Sequence, residues 1–108
     1  MPAYRIVAWQ QPPELVEVEV PVAAAGQVLV RVAGNGLCHS DLGMQHLPAE
    51  MGEALGWNVP FTLGHEIAGW VDAVGAGVDG VREGDAVALA SPTSCGACAM
   101  CRRGLDSA

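Results

Sequence analysis

The chain has 108 residues, half of them apolar, and a net charge of −7 set against five arginines and no lysine. That length fits one domain able to bury a core without covalent staples, and the acidic balance excludes a binder of the nucleic-acid backbone. No apolar run nears the ~20 residues of a membrane span, and MPAYRIVAWQQPPE lacks the charged-then-apolar order of a secretory leader, so a cytoplasmic chain without a membrane partner is expected.

Most of the predicted elements are strands. Tyr4–Trp9 (YRIVAW) is rich in β-formers, and Leu15–Val20 (LVEVEV) alternates apolar and acidic residues, as a strand with one wet face does. Gln10–Glu14 (QQPPE) punctuates the two. Pro21–Gly26 leads into Gln27–Val32 (QVLVRV), which alternates again. His39–Leu63 is less regular. Ser40 is expected to cap a short helix through Asp41–Gln45, and MGEALGWNVP after it reads as loop. Glu66–Val74 and Asp85–Ala90 are further strands, joined by the turn-rich Gly75–Gly84. Together they predict an antiparallel β-barrel or sandwich with one long excursion. With only 16% of residues charged, either an unusual share is buried or apolar surface meets another domain or subunit.

The densest chemical signal closes the chain. Cys95, Cys98 and Cys101 recur as C-x2-C-x2-C in a loop led in by Pro-Thr-Ser. Two disulfides are arithmetically open to four cysteines, but bridges among three within seven residues close strained small loops and leave Cys38 over. Metal is the favoured reading, because tight turns let successive sulfurs reach one ion. A thioredoxin-like redox pair is the alternative, although that motif belongs at a helix start in a βαβ unit. Three thiolates leave one position of a tetrahedral zinc to water or another ligand, so zinc there is expected to be weak or shared.

Two weaker motifs gain force from each other. GLCHSD (36–41) and GHE (64–66) put a soft sulfur, Cys38, and an imidazole, His65, at strand boundaries beside glycine. These are two of the three protein ligands that an open zinc site uses. Taken singly, Cys38 reads as a small buried hydrophobe, Ser40 as a helix cap and Asp41 as a first-turn acid. Glu66 alone is a solvated strand residue, and Trp57 is either a packing anchor or the wall of a substrate pocket. GAGVDG (75–80) has glycine spacing but no helical pattern after it, so it reads as a turn rather than a phosphate cradle.

GLCHSD, then TLGHEIAGWVDAVGAGVDGVREGDAVAL, then CGACAMCRRG, in that order, resemble the zinc-containing medium-chain alcohol dehydrogenases, from about Tyr4 onward. The resemblance implies a mainly β fold: a GroES-like, partly open β-barrel with a short helix and long loops, incomplete relative to the family. It implies that Cys38 and His65 ligate a catalytic zinc and that Ser40 relays the alcohol's proton. Asp41 then orients the histidine, and Glu66 stands behind the metal and eases ligand exchange. His39 falls where the family puts a basic residue near the cofactor's phosphates or in the proton relay. Ser91 shapes the substrate pocket, with room for a bulky substrate, and Cys95, Cys98 and Cys101 are three of the four ligands of a structural zinc.

The activity implied is oxidation of a small-molecule alcohol to an aldehyde or ketone, with hydride transfer to NAD or NADP. In the family a fourth cysteine would be the residue immediately after Ala108. A further catalytic-zinc ligand and the dinucleotide-binding domain also lie beyond it. The chain is therefore expected to be an N-terminal portion, inactive alone, with exposed apolar surface that favours self-association. A stand-alone zinc-binding or interaction module on the same barrel, and a small CxxC redox protein, are the competing expectations.

Overall fold

The computed structural model describes residues 1–91 and 93–106. Pro92 of the expected loop lead-in, and Ser107 and Ala108, lie outside the described residues. The strands are β1 (Pro2–Ile6), β2 (Glu14–Glu17), β3 (Val28–Asn35), β4 (Phe61–Thr62), β5 (Ile67–Val74) and β6 (Ala86–Ala88). Three short helices, α1 (His39–Gln45), α2 (Ala49–Ala54) and α3 (Ala99–Arg102), complete the chain order.

The strands form two antiparallel three-stranded sheets, in the orders β2-β1-β4 and β3-β5-β6. The mainly β, partly open architecture expected from the sequence is thus what forms, with no closed barrel among the described residues. The predicted strand around residues 4–9 begins and ends earlier, because only Pro2–Ile6 has partners: Glu14–Glu17 on one side and Phe61–Thr62 on the other. Beyond Ile6 the chain turns, with Gln10 at a φ of 58°, and Trp9 leaves the sheet. In the other direction β3 outlasts its alternating segment and stays paired to Asn35, opposite Ile67. Register shifts after Leu29 and Val32 absorb the extra length.

Two expectations for the excursion need correction. Ser40 does not cap α1. The N-cap is Cys38, whose backbone N–H donates to Asp41 Oδ2 at 3.0 Å, so the acid three residues on ties the helix start together. Met51–Ala54, the first part of MGEALGWNVP, is helical rather than loop, and α2 packs Gly52 against the Trp9 indole at a spacing that leaves no room for a Cβ; the chain leaves the helix at Leu55. Trp9, Phe61 and Trp57 then run on as a tilted aromatic row, with centroids 6.1 and 6.2 Å apart.

Among the described residues the buried apolar side chains are Ala3, Ile6 and Val71, joined by one buried charge, Asp41. The core is therefore thin, and the buried carboxylate among the described residues lies at the start of α1. No described helix is long and apolar enough to cross a membrane.

Candidate metal centres and pocket

The first centre is assembled where two strand boundaries meet. β3 runs out at Asn35 and delivers Cys38 to the N-terminus of α1, while the link between β4 and β5 carries His65 and Glu66. The backbone N–H of Gly36 donates to Glu66 O at 2.8 Å, joining the two segments directly. Gly36 is required at that crossing, since a Cβ there would run into the Glu66 carboxylate. As a result one ligand atom each from Cys38, His65 and Glu66 lies within 4.8 Å of the other two.

The imidazole is held from both sides. Its Nδ1 stands 3.3 Å from Asp41 Oδ1, and its Nε2 lies 3.4 Å from the Ser40 hydroxyl. A carboxylate facing Nδ1 favours the ring proton on that nitrogen and leaves the Nε2 lone pair free beside the Ser40 hydroxyl. Asp41 Oδ1 is buried and has no aligned hydrogen bond, an expensive state for a carboxylate oxygen, and His65 Nδ1 is the donor that faces it. Hydrogen bonds from Ser40, then from His65, hold the Cys38 thiol below its ordinary pKa. The shared bond with Cys38 raises that of His65, against the opposing effect of burial. A sulfur, an imidazole nitrogen and a carboxylate oxygen around one point form a donor set that suits zinc and leaves a coordination position open.

The second centre is the cysteine run. Cys98 caps α3, a helical turn within what the sequence predicts as loop. Cys98 and Cys101 sulfurs are 3.5 Å apart and those of Cys95 and Cys101 3.9 Å apart. Tetrahedral zinc with bonds of about 2.3 Å sets thiolates roughly 3.8 Å from each other, so the spacing fits that ion. Backbone N–H groups of Ala97 and Cys98, followed by the neighbouring thiols, bring the Cys95 pKa down to about 7. The Cys98 thiol is lowered as well, chiefly by hydrogen bonding from Cys101.

The remaining predicted site residues surround the first centre. Trp57 and His65 line a cavity of about 260 Å³ with Met44, Asn58, Phe61, Thr62 and Gly64. An adjoining cavity of about 520 Å³ brings Ser91 and Ser40 to the same histidine, beside Leu89. His39 is exposed on the first turn of α1 and lines a separate hollow with Cys38 and Asp41. GAGVDG leads into β6 and not into a helix, as its sequence context predicts. The sequence reading missed Met44, Phe61 and Thr62 as pocket residues and gave Asn35 no role. The Asn-Gly step just ahead of Leu37 and Cys38 was the available signal for Asn35.

Residues 24–108 match the family model described as alcohol dehydrogenase GroES-like domain. The chain is 41% identical over 109 residues to an NAD-dependent alcohol dehydrogenase of Saccharolobus solfataricus, covering 96% of this chain and 31% of that protein. It is also 41% identical over 99 residues to an L-threonine 3-dehydrogenase of Pyrococcus abyssi, covering 84% of this chain and 26% of that protein. Among solved structures, a cobalt- and zinc-bound thermostable alcohol dehydrogenase from Pyrobaculum aerophilum superposes with a TM-score of 0.82 at 31% identity. That superposition covers 99% of this chain and 31% of the other. The chain therefore spans less than a third of the length of these relatives.

Proposed function

The chain belongs to the family of alcohol dehydrogenase GroES-like domains, and from that membership we propose that residues 1–108 are the N-terminal catalytic-domain portion of a zinc-dependent alcohol dehydrogenase. The whole protein oxidises an alcohol to an aldehyde or ketone, the hydride passing from the carbinol carbon to NAD or NADP and the hydroxyl proton to solvent. The observation that carries this reading is the convergence of Cys38, His65 and Glu66, with Asp41 behind the imidazole. A bound zinc supplies Lewis acidity, which acidifies an alcohol hydroxyl and polarises a carbonyl.

In this reading each residue has a distinct task. Cys38 and His65 would hold the ion, and Glu66 stands near enough to offer it a further oxygen. Asp41 fixes the ring so that Nε2 serves as the ligand atom. Ser40, beside that nitrogen, accepts the alcohol's proton, and the exposed His39 one residue before it passes the proton outward or meets a cofactor phosphate. Cys95, Cys98 and Cys101 hold a second, structural zinc.

The cavities reached by Trp57 and Ser91 are lined by uncharged side chains apart from His65 itself, which favours an uncharged alcohol bearing an apolar group over an amino acid. A reducing, cytoplasmic setting suits thiols grouped for a metal.

Cobalt(II), which reports thiolate ligation by an intense charge-transfer absorption, tests the reading. The reduced chain takes up two equivalents; Cys38→Ser removes one, and Cys95→Ser with Cys98→Ser removes the other. Uptake unaffected by Cys38→Ser overturns the catalytic-site assignment. Alone, the chain produces no NADH or NADPH from alcohol, and measurable turnover refutes its status as a portion of the enzyme.

A further inference from the structure

Asn35 closes β3, paired opposite Ile67. Its carboxamide reaches across to the link that carries His65. Asn35 Nδ2 donates to Leu63 O at 3.5 Å, and the Glu66 backbone N–H donates to Asn35 Oδ1 at 3.3 Å. One side chain therefore touches both ends of the four-residue segment 63–66, with His65 inside the span and Cys38 three residues downstream of the asparagine. Gly64 lies beneath the amide at a φ of 109°, where a Cβ would overlap the carboxamide. Segment and amide are shaped to each other.

We propose that Asn35 is a positioning residue: its carboxamide fixes segment 63–66 against the end of β3 and so sets the Cys38–His65 spacing at which the metal is held. The inference rests on the metal reading of the first centre. Both hydrogen bonds are longer than is usual for N–H···O, so neither holds the segment strongly alone. Acting at its two ends, they add to the backbone bonds from Gly36 N–H to Glu66 O and from Leu63 N–H to Tyr4 O, and so select one placement of the loop between them. Metal–ligand distances tolerate changes of only about 0.2 Å, so a small drift of the segment weakens binding. Aspartate lacks the donor, leucine lacks both partners and glutamine overshoots by a methylene; the task needs a donor and an acceptor at the reach of asparagine.

Asn35 is exposed and its polar partners are backbone groups, so Asn35→Ala leaves the fold intact. Cobalt(II) affinity, measured by chelator competition, is compared in two backgrounds. Cys95→Ser/Cys98→Ser/Cys101→Ser isolates the first centre, and Cys38→Ser isolates the second. Asn35→Ala is expected to weaken cobalt at the first centre by roughly 10-fold or more and to change its ligand-field spectrum, while the second centre keeps its affinity. An unchanged affinity and spectrum at the first centre overturns the proposal. So does an equal loss at both centres, which marks a fold-wide effect. If the chain bearing Asn35 takes up no cobalt at the first centre, the metal reading itself fails and the proposal falls with it.

Discussion

Asp41 does two jobs with one carboxylate. Oδ2 closes the start of α1 on the Cys38 N–H, and Oδ1 faces His65 Nδ1, so the acid that shapes the helix also stands against the imidazole. GLCHSD makes this legible only in part, because local spacing predicts an acid in the first turn but says nothing of a histidine 24 residues further on. The cysteines were more legible, since their spacing alone brings sulfurs together in a turn. Their acidity was not, because it depends on backbone N–H groups that only the fold aims at the sulfur. With Cys95 brought from 9.0 to about 7, its thiolate forms as pH rises through neutrality, two units earlier than in an unfolded chain. Alkylation of the metal-free chain at Cys95 should therefore rise steeply between about pH 6 and 8 and level off above. The expected profile is measured by mass spectrometry of the labelled peptide. A rate still climbing nearly tenfold from pH 7 to pH 8, as for a thiol of ordinary acidity, contradicts the folded arrangement, and prior addition of zinc is expected to suppress labelling throughout.

Helix α2 shows a local rule yielding to packing. Its Gly52 lowers helix propensity by about 1 kcal/mol relative to alanine, and with Gly56 close behind, the segment reads as loop. Trp9 reverses that reading from more than forty positions away, filling the space that a side chain at 52 would occupy. Gly52→Ala therefore sets a propensity gain against an overpacking cost of about 1–3 kcal/mol. The expected net result is a modest loss of urea stability with a shift in tryptophan emission as the Trp9 indole is displaced. An unchanged spectrum with increased stability excludes the tight α2–Trp9 contact. β4 was missed for a related reason: two residues, Phe61 and Thr62, show no periodicity, and they are a strand only because β1 offers them an edge.

Across the whole molecule, surface outweighs core. The accessible area is 7718 Å², against about 5,700 Å² for a folded monomer of this mass. The radius of gyration is 15.5 Å, against about 13 Å for a compact chain of this length. Large apolar side chains such as Leu15, Val22 and Leu37 stand well out in solvent. Metal-free chain should accordingly bind a hydrophobic dye and associate with itself as concentration rises, followed by light scattering. A monodisperse monomer at high concentration, silent to the dye, contradicts that expectation. The motif order, the mainly β class and the candidate ligands Cys38, His65, Cys95, Cys98 and Cys101 were determined by the sequence alone, since spacing, alternation and donor chemistry are local properties. Tertiary structure decided what no local window contains. It set Glu66 within reach of Cys38 and His65, turned the imidazole's Nδ1 toward Asp41, and laid Asn35 across the segment that carries His65. Those arrangements depend on which strands pair and on what backbone groups face across the gap, and both are set by packing between residues far apart in the chain.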